Sequence, residues 1–196
     1  MSTTLFCRQC GTRHSHGRFC PQGHVLFTDP PNDILIGQVL DERYEIASRL
    51  GAGGFGTVYL ARQLRLKGRA CVVKVARAEL AGDPMFAARF EREKRALTSL
   101  QSRNTVTIID FGRTNDGIDY IVMEYIEGTS LDAALRTLGR FPVARAVAIG
   151  IDVCHALEEA HGQGILHRDL KPANVMLVQA GSVEVVKVID FGLARL

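Results

Sequence analysis

Residues 49–60 have the sequence RLGAGGFGTVYL, and three of their glycines follow the spacing G-x-G-x-x-G. These glycines are Gly51, Gly53 and Gly56. Without Cβ atoms, backbone amides at such a turn can approach the oxygens of a polyphosphate. The same spacing opens dinucleotide-binding units, but there the last glycine begins a helix. Here residues 57–61 and 70–76 are both β-rich, so the sequence predicts a phosphate-covering loop between two strands.

The composition is that of a globular protein with a sizeable core. The chain has 196 residues, of which 46% are hydrophobic. Its formal net charge of +3 is too small to indicate nucleic acid or an anionic membrane as partner. No window reaches the roughly 18 apolar residues of a membrane span, and the first residues lack the basic-then-apolar pattern of a signal peptide. These features predict a cytoplasmic protein without a membrane segment.

Three of the five cysteines lie within the first twenty residues, which favours a metal site over disulfides. Cys7 and Cys10 are separated by two residues, as in a zinc knuckle, and Cys20 follows. A second knuckle would place the fourth ligand where Gly23 stands. Candidate fourth ligands are His24, the nearest, and its rivals His14 and His16. The alternative is a degenerate finger that no longer binds metal. Too few apolar residues are present for a stable core without a bound metal ion, which favours the metal site.

The second strand after the glycine turn carries one lysine, Lys74, among apolar residues. A helix is predicted next, because Asp83 is a suitable N-cap and Pro84 suits the first helical position. Its apolar stripe consists of Phe86, Phe90, Leu97 and Leu100. Glu93 is the charged residue on that stripe, so we expect it to pair with Lys74 and aim the ammonium group at nucleotide phosphates. Otherwise Glu93 is a solvated side chain on a chance stripe.

Residues 51–58, Lys74 in VVKV and Glu93 together resemble the N-terminal lobe of a protein kinase. Kinases usually have alanine where Val72 stands, beside the adenine. Residues 124–128 resemble the hinge, whose backbone binds adenine, and the preceding Met123 holds the gatekeeper position. The resemblance implies ATP contacts from Gly51, Gly53, Gly56, Val58, Val72, Lys74, Met123, Glu124, Ile126 and Met176.

The most specific signal is ILHRDLKPANVML at residues 165–177. Asp169 can accept or orient the proton of a hydroxyl group, and Lys171 can neutralise charge on a transferred phosphoryl group. Asn174 lies five residues after the aspartate and can turn back to hold magnesium. In kinases, lysine two residues after this aspartate marks enzymes that phosphorylate serine and threonine. His167 is expected to be a packing residue rather than a base.

The tripeptide Asp-Phe-Gly occurs twice, at residues 110–112 and 190–192. The second copy follows the catalytic loop at the distance found in kinases, so the resemblance implies that Asp190 binds magnesium. Phe191 is then expected to pack toward Leu97 and His167. The first copy lies far ahead of that loop, and we interpret Asp110 as a residue at the end of a strand without a role in metal binding.

The predicted architecture is α+β, a two-lobed kinase-like fold with ATP in the cleft, preceded by a zinc-ribbon-like finger. Its parts are a finger at 1–28, a linker at 29–39, the first lobe with the hinge at 40–126 and a partial second lobe at 127–196. The second lobe should contain a helix capped by Ser130, a helix over 141–161 and a hairpin around residues 181–182. The apolar stripe of the longer helix is expected to be Val143, Val147, Cys154 and Leu157. Cys71 and Cys154 are expected in the core.

The resemblance to bacterial serine/threonine protein kinases implies transfer of phosphate from ATP, with magnesium, to protein serine or threonine hydroxyls. No activation segment follows residue 196, so a truncated chain is expected, with an incompletely covered helix and low stability or association. The alternative function is a nucleotide-binding scaffold that is catalytically inactive. The finger has few basic and aromatic residues, which argues against a nucleic-acid role.

Overall fold

The protein is described by a computed structural model. It describes the whole chain except residues 1–4, 8, 11, 29–32, 54, 55, 78–84, 86, 87, 89, 92, 93, 95, 96, 115 and 192–196. The chain divides into two compact units. The first unit comprises Met1–Gly82 and Ile109–Tyr125, and the second comprises Asp83–Ile108 and Ile126–Leu196.

The finger contains a small three-stranded antiparallel sheet in the order β2-β1-β3. Its strands are β1 (Leu5–Phe6), β2 (Arg13–His14) and β3 (Phe27–Thr28). Cys7, Cys20 and Leu26 are buried together at its centre. This core is as small as the sequence predicts, so a metal ion that joins the cysteines would contribute much of the finger's stability.

A six-stranded sheet follows, in the order β4-β5-β6-β7-β9-β8. The strands are β4 (Val39–Leu40), β5 (Tyr44–Ala52), β6 (Gly56–Gln63), β7 (Arg69–Ala76), β8 (Ile108–Arg113) and β9 (Asp119–Glu124). The glycine turn joins β5 to β6 as an antiparallel hairpin, so the predicted loop between two strands is confirmed. A 3₁₀ turn (Leu64–Leu66) leads to Lys67 and Gly68, both with positive φ, which reverse the chain into β7.

Alternation along these strands creates the main core of the first unit. Cys71, Val73 and Val75 of β7 are buried in one cluster with residues from four other strands. Val72 and Lys74 belong to the opposite face, because successive strand residues point to opposite sides. The predicted burial of Cys71 is confirmed.

The second unit contains two fully described helices and a three-stranded sheet in the order β10-β11-β12. These elements are β10 (Thr129–Ser130), α1 (Leu131–Leu138), α2 (Val143–Gly162), a 3₁₀ turn (Pro172–Asn174), β11 (Val175–Ala180) and β12 (Val183–Val188). Ser130 caps α1 by accepting a hydrogen bond from Ala133 N at 3.2 Å, as predicted. Described residues between 85 and 98 are helical, and Phe90 and Leu97 are buried there. The predicted cap at residues 83–84, with Phe86 and Glu93, lies outside the described residues.

Most of the predicted apolar stripe of α2 is exposed, and the expected burial of Cys154 in the core is wrong. Val143, Val147 and Cys154 are exposed, and Leu157 is only partly buried. The buried face consists of Ile149, Ala156 and Ala160. Apolar side chains occur on more than one side of this helix, so its hydrophobic pattern alone does not select the buried face. None of the helices in the described part of the chain is long and apolar enough to cross a bilayer.

Candidate active site

The three glycines of the turn differ in their surroundings. Among the described residues, an added Cβ at Gly51 or Gly53 would meet no atom within 4 Å, whereas one at Gly56 would overlap the carbonyl oxygen of Val75. Gly53 N donates to Gly56 O at 2.9 Å, and Arg77 donates to Gly53 O at 3.1 Å. Gly56 is therefore required for close strand packing, and the first two glycines leave open space beside the backbone.

Lys74 lies in the middle of the sheet, 6% exposed. It pairs with Val58 on β6 and with Ile121 on β9, and Val72 is paired with Met123. The predicted first-unit residues Val58, Val72, Lys74 and Met123 thus belong to three adjacent strands. Glu93, the predicted partner of Lys74, lies outside the described residues.

Strand β9 ends at Glu124, which pairs with Cys71 and is the first residue of the predicted hinge. The boundary between the two units falls within the hinge, since Tyr125 belongs to the first unit and Ile126 to the second. No motif in the sequence indicates a role for the Tyr125 side chain. Its ring contacts Phe19 of the finger, a contact between residues 106 positions apart that no local pattern indicates.

The catalytic-loop residues of the second unit are held around one carboxylate. Lys171 Nζ donates to Asp169 Oδ2 at 2.7 Å. Asn174 Nδ2 donates to the backbone oxygen of Asp169 at 2.9 Å and lies 3.4 Å from Oδ2. The hydrogen bond from Lys171 is the main cause that lowers the pKa of Asp169 below its usual value. Asp169 is therefore ionised at neutral pH and can accept a proton or a hydrogen bond.

His167 is buried, with 3% of its surface exposed. Its Nδ1 accepts a hydrogen bond from Asp169 N at 3.3 Å, so Nε2 carries the proton and donates to Ile189 O at 2.9 Å. The ring also packs against Phe191, with centroids 4.8 Å apart. Both nitrogens are engaged with the backbone, which suits a structural residue better than a base.

Asp190 follows β12 and has φ of 65°, a left-handed conformation that is uncommon for residues other than glycine. Arg168, next to Asp169, has φ of 61°. Met176 is half-buried in β11, where it pairs with Lys187. Gly192, the last residue of the second Asp-Phe-Gly string, lies outside the described residues.

Asp110 of the first string lies inside β8, not at its end as predicted. Its carboxylate accepts hydrogen bonds from Tyr44 Oη at 2.7 Å and from Arg43 at 2.5 Å. Phe111 N also donates to it at 2.8 Å. These bonds give Asp110 a structural role within the first unit.

Four potential metal ligands of the finger converge. Their ligand atoms, from Cys7, Cys10, Cys20 and His24, all lie within 4.8 Å of one another. Cys7 Sγ is 3.8 Å from His24 Nδ1. The other candidate fourth ligands, His14 and His16, contact hydroxyl groups. His14 Nε2 is 2.8 Å from the Thr12 hydroxyl, and His16 Nδ1 is 2.9 Å from the Ser15 hydroxyl.

The two thiols of the knuckle differ in acidity. A hydrogen bond from the Thr12 hydroxyl, 2.9 Å from Sγ, is the main cause that lowers the pKa of Cys10 to about 6. Burial raises the pKa of Cys7. Cys10 is therefore the thiol that more readily becomes the thiolate that a metal ion requires.

The architecture of the two units defines the class of fold, which is that of a protein kinase domain. Residues 44–196 match the protein kinase domain, and the chain therefore belongs to the protein kinase family.

Known relatives and solved structures agree. The chain is 43% identical over 171 residues to the serine/threonine-protein kinase PknB of Mycobacterium leprae, an alignment covering 86% of this chain and 26% of the relative. It is 39% identical over 168 residues to the serine/threonine-protein kinase pkn3 of Myxococcus xanthus, covering 85% and 30%. The crystal structure of the Mycobacterium tuberculosis PknI kinase domain superposes with a TM-score of 0.69 at 30% identity, covering 83% of this chain and 64% of that one. The chain thus spans about a quarter to a third of these curated relatives.

Proposed function

We propose that this protein transfers the γ-phosphoryl group of ATP to serine or threonine hydroxyls of protein substrates. The arrangement of Asp169, Lys171 and Asn174 in one hydrogen-bonded group is the observation that carries the proposal. The ionised Asp169 would accept a hydrogen bond from the substrate hydroxyl and take its proton as the new bond forms. Lys171 would stabilise the charge that develops on the transferred group. The names of the similar proteins support serine and threonine as acceptors.

The donor chemistry of the second unit fits magnesium. Asn174 and Asp190 offer an amide and a carboxylate oxygen, the hard donors that magnesium prefers. Bound magnesium would neutralise charge on the nucleotide phosphates. Asn174 is 7% exposed, and its amide is oriented by the Asp169 backbone, so the side chain is held in a defined position.

Nucleotide binding would also draw on the first unit. The open space beside Gly51 and Gly53 supports approach of phosphate oxygens to the backbone. Lys74 offers a buried cation for the phosphates, with Glu93 as its proposed partner, and Val58, Val72 and Met123 offer apolar contacts for adenine. Glu124 and Ile126 would contribute backbone groups, and Met176 a further apolar contact.

We also propose that Cys7, Cys10, Cys20 and His24 bind a zinc ion. Tetrahedral zinc with bonds of about 2.3 Å separates two thiolates by about 3.8 Å. The observed upper limit of 4.8 Å therefore requires only a small contraction. Three thiolates and one imidazole are a common ligand set for structural zinc.

A cytoplasmic location is favoured, because the proposed zinc ligands must be reduced thiols and the proposed reaction needs ATP.

The zinc proposal is tested by metal content. The purified protein should contain one zinc ion, and His24→Ala should reduce the occupancy, while His14→Ala should retain it. Equal zinc in both variants would reject His24 as the fourth ligand.

Phosphoryl transfer is tested with labelled ATP, magnesium and a generic protein substrate. The parent protein should transfer label, and Asp169→Asn should lose transfer while binding nucleotide with nearly unchanged affinity. Equal activity of the two proteins would refute the role of Asp169. Nucleotide binding without transfer by the parent would favour the scaffold function instead.

A further inference from the structure

One side of the finger is packed against the sheet of the first unit. Val25 and Phe27 of the finger share a buried cluster with Ala47 and Leu60 of the sheet, and all four are at most 3% exposed. Partly buried residues that complete the cluster are Phe19, Leu50, Ala70 and Tyr125. The finger is therefore docked on the sheet through an apolar interface.

This interface lies beside two segments to which we assign ATP contacts. Leu50 immediately precedes the first glycine of the turn, and Tyr125 immediately follows the first hinge residue. The Tyr125 ring meets the Phe19 ring edge-on, with centroids 5.2 Å apart and an interplanar angle of 69°. Arg18 donates to the Tyr125 hydroxyl at 3.3 Å. The finger thus contacts both the ring and the hydroxyl group of Tyr125.

The residues that touch the sheet adjoin the proposed zinc ligands. Phe19 precedes Cys20, and Val25 follows His24. Phe19 and Val25 face each other across an antiparallel bridge, and Cys20 N donates to His24 O at 2.8 Å. An ion bound by Cys20 and His24 would hold this tight turn in place. It would thereby also fix the distance between Phe19 and Val25, the apolar residues on either side of the turn.

We infer that the zinc-loaded finger belongs to the nucleotide-binding apparatus, with Phe19 as a positioning residue that holds Tyr125 and the hinge in place for adenine. The inference rests on the proposed binding of ATP and zinc. Two ligands that favour the same arrangement are coupled reciprocally. Zinc therefore tightens nucleotide binding, and nucleotide tightens zinc binding by the same factor.

The experiment measures the Kd of a fluorescent ATP analogue with excess magnesium. The zinc-loaded protein is compared with protein treated with a zinc-selective chelator, and with the variants Phe19→Ala, Phe19→Tyr and Ser15→Ala. Metal removal should weaken analogue binding about fivefold or more. Phe19→Ala should weaken it about two- to tenfold, the range for an aromatic pair, and Phe19→Tyr should restore it. Ser15 is an exposed finger residue outside the candidate zinc ligands, and its variant should bind like the parent.

Steady-state kinetics distinguish a positioning role of Phe19 from a purely structural one. Phe19→Ala should raise the KM for ATP and leave kcat at saturating ATP unchanged, because the transferring residues lie in the other unit. A fall in kcat with unchanged KM would overturn the positioning role. If Phe19→Ala loses zinc, Phe19→Leu keeps the apolar bulk without the ring edge and should show the same weakening.

The remaining outcomes are distinguishable. Equal analogue affinity with and without zinc, and in all Phe19 variants, would overturn the coupling while leaving the proposed function intact. Absence of analogue binding in every form would refute the ATP-binding function itself, and the inference with it. A zinc affinity that rises with saturating analogue, by the factor seen in the reverse experiment, would support the coupling independently of activity.

Discussion

Gly56→Ala should destabilise the first unit, because a Cβ at this position has no room against the backbone of β7. Gly56 pairs with Ala76, and its ideal Cβ would overlap the carbonyl oxygen of Val75. The same Cβ would lie 2.8 Å from the carbonyl carbon of Val75 and 3.0 Å from Cα of Ala76. All three neighbours are backbone atoms, so no side chain can rotate away, and the strands must separate.

Forcing extra volume into a packed region costs about 1 to 3 kcal/mol. Restriction of the unfolded chain by the new methyl group offsets about 0.5 kcal/mol of this. For a chain of this size, a net loss near 2 kcal/mol lowers Tm by about 4 to 8 °C.

Gly53→Ala is the matched control, since its Cβ would meet no atom of the described residues within 4 Å. It should leave Tm unchanged or raise it by about 1 to 2 °C, because the new methyl group only restricts the unfolded chain. Thermal unfolding followed by circular dichroism compares the two variants directly. A Gly56→Ala protein that melts with the parent, or a Gly53→Ala protein that loses as much, would refute the reasoning. The two should also differ in nucleotide binding, where Gly53→Ala should weaken affinity without loss of stability.

Two further predictions concern carboxylates. Asp110→Asn removes the charge that faces Arg43 and should lower the free energy of unfolding in urea by about 1 to 2 kcal/mol. This variant should retain phosphoryl transfer, whereas Asp190→Asn should abolish it. The reverse pattern would show that the first Asp-Phe-Gly string is the functional one. Lys171→Met should raise the pKa of Asp169 toward the ordinary value of about 3.9, because the hydrogen bond that lowers it is lost. The stabilisation from the Lys171–Asp169 pair is present above about pH 4 and is lost as pH falls through the depressed pKa of Asp169. An NMR titration of Asp169 that is identical in the parent and in Lys171→Met would contradict this assignment.

The hairpins of this fold could be predicted because the information is local. β11 and β12 are valine-rich runs separated by Gly181, whose φ of 63° suits the turn. The same holds for the group of catalytic-loop residues, since Asp169 and Asn174 are only five residues apart. A single turn of chain brings them together, and the 3₁₀ turn at Pro172–Asn174 performs this step.

Features that depend on distant segments could not be predicted. Asp110 is bound by Tyr44, 66 residues earlier, and nothing near Asp110 indicates this partner. The buried face of α2 is chosen by the hairpin against which Ile149 packs, not by the helix's own apolar residues. Docking of the finger depends in the same way on the shape of the sheet surface around Leu60.

The site also contains conformations that local preferences would not predict. Arg168 and Asp190 both have positive φ, at a cost of about 1 to 2 kcal/mol each. His167 lies between them: it accepts a hydrogen bond from the amide after Arg168 and donates to the carbonyl before Asp190. Because the ring is buried against Phe191, loss of either bond would leave a polar group unsatisfied, so one side chain stabilises both strained residues. Arg168 and Asp190 are two of the five described non-glycine residues with positive φ, and the buried His167 between them offsets part of the energetic cost where the chemistry is proposed.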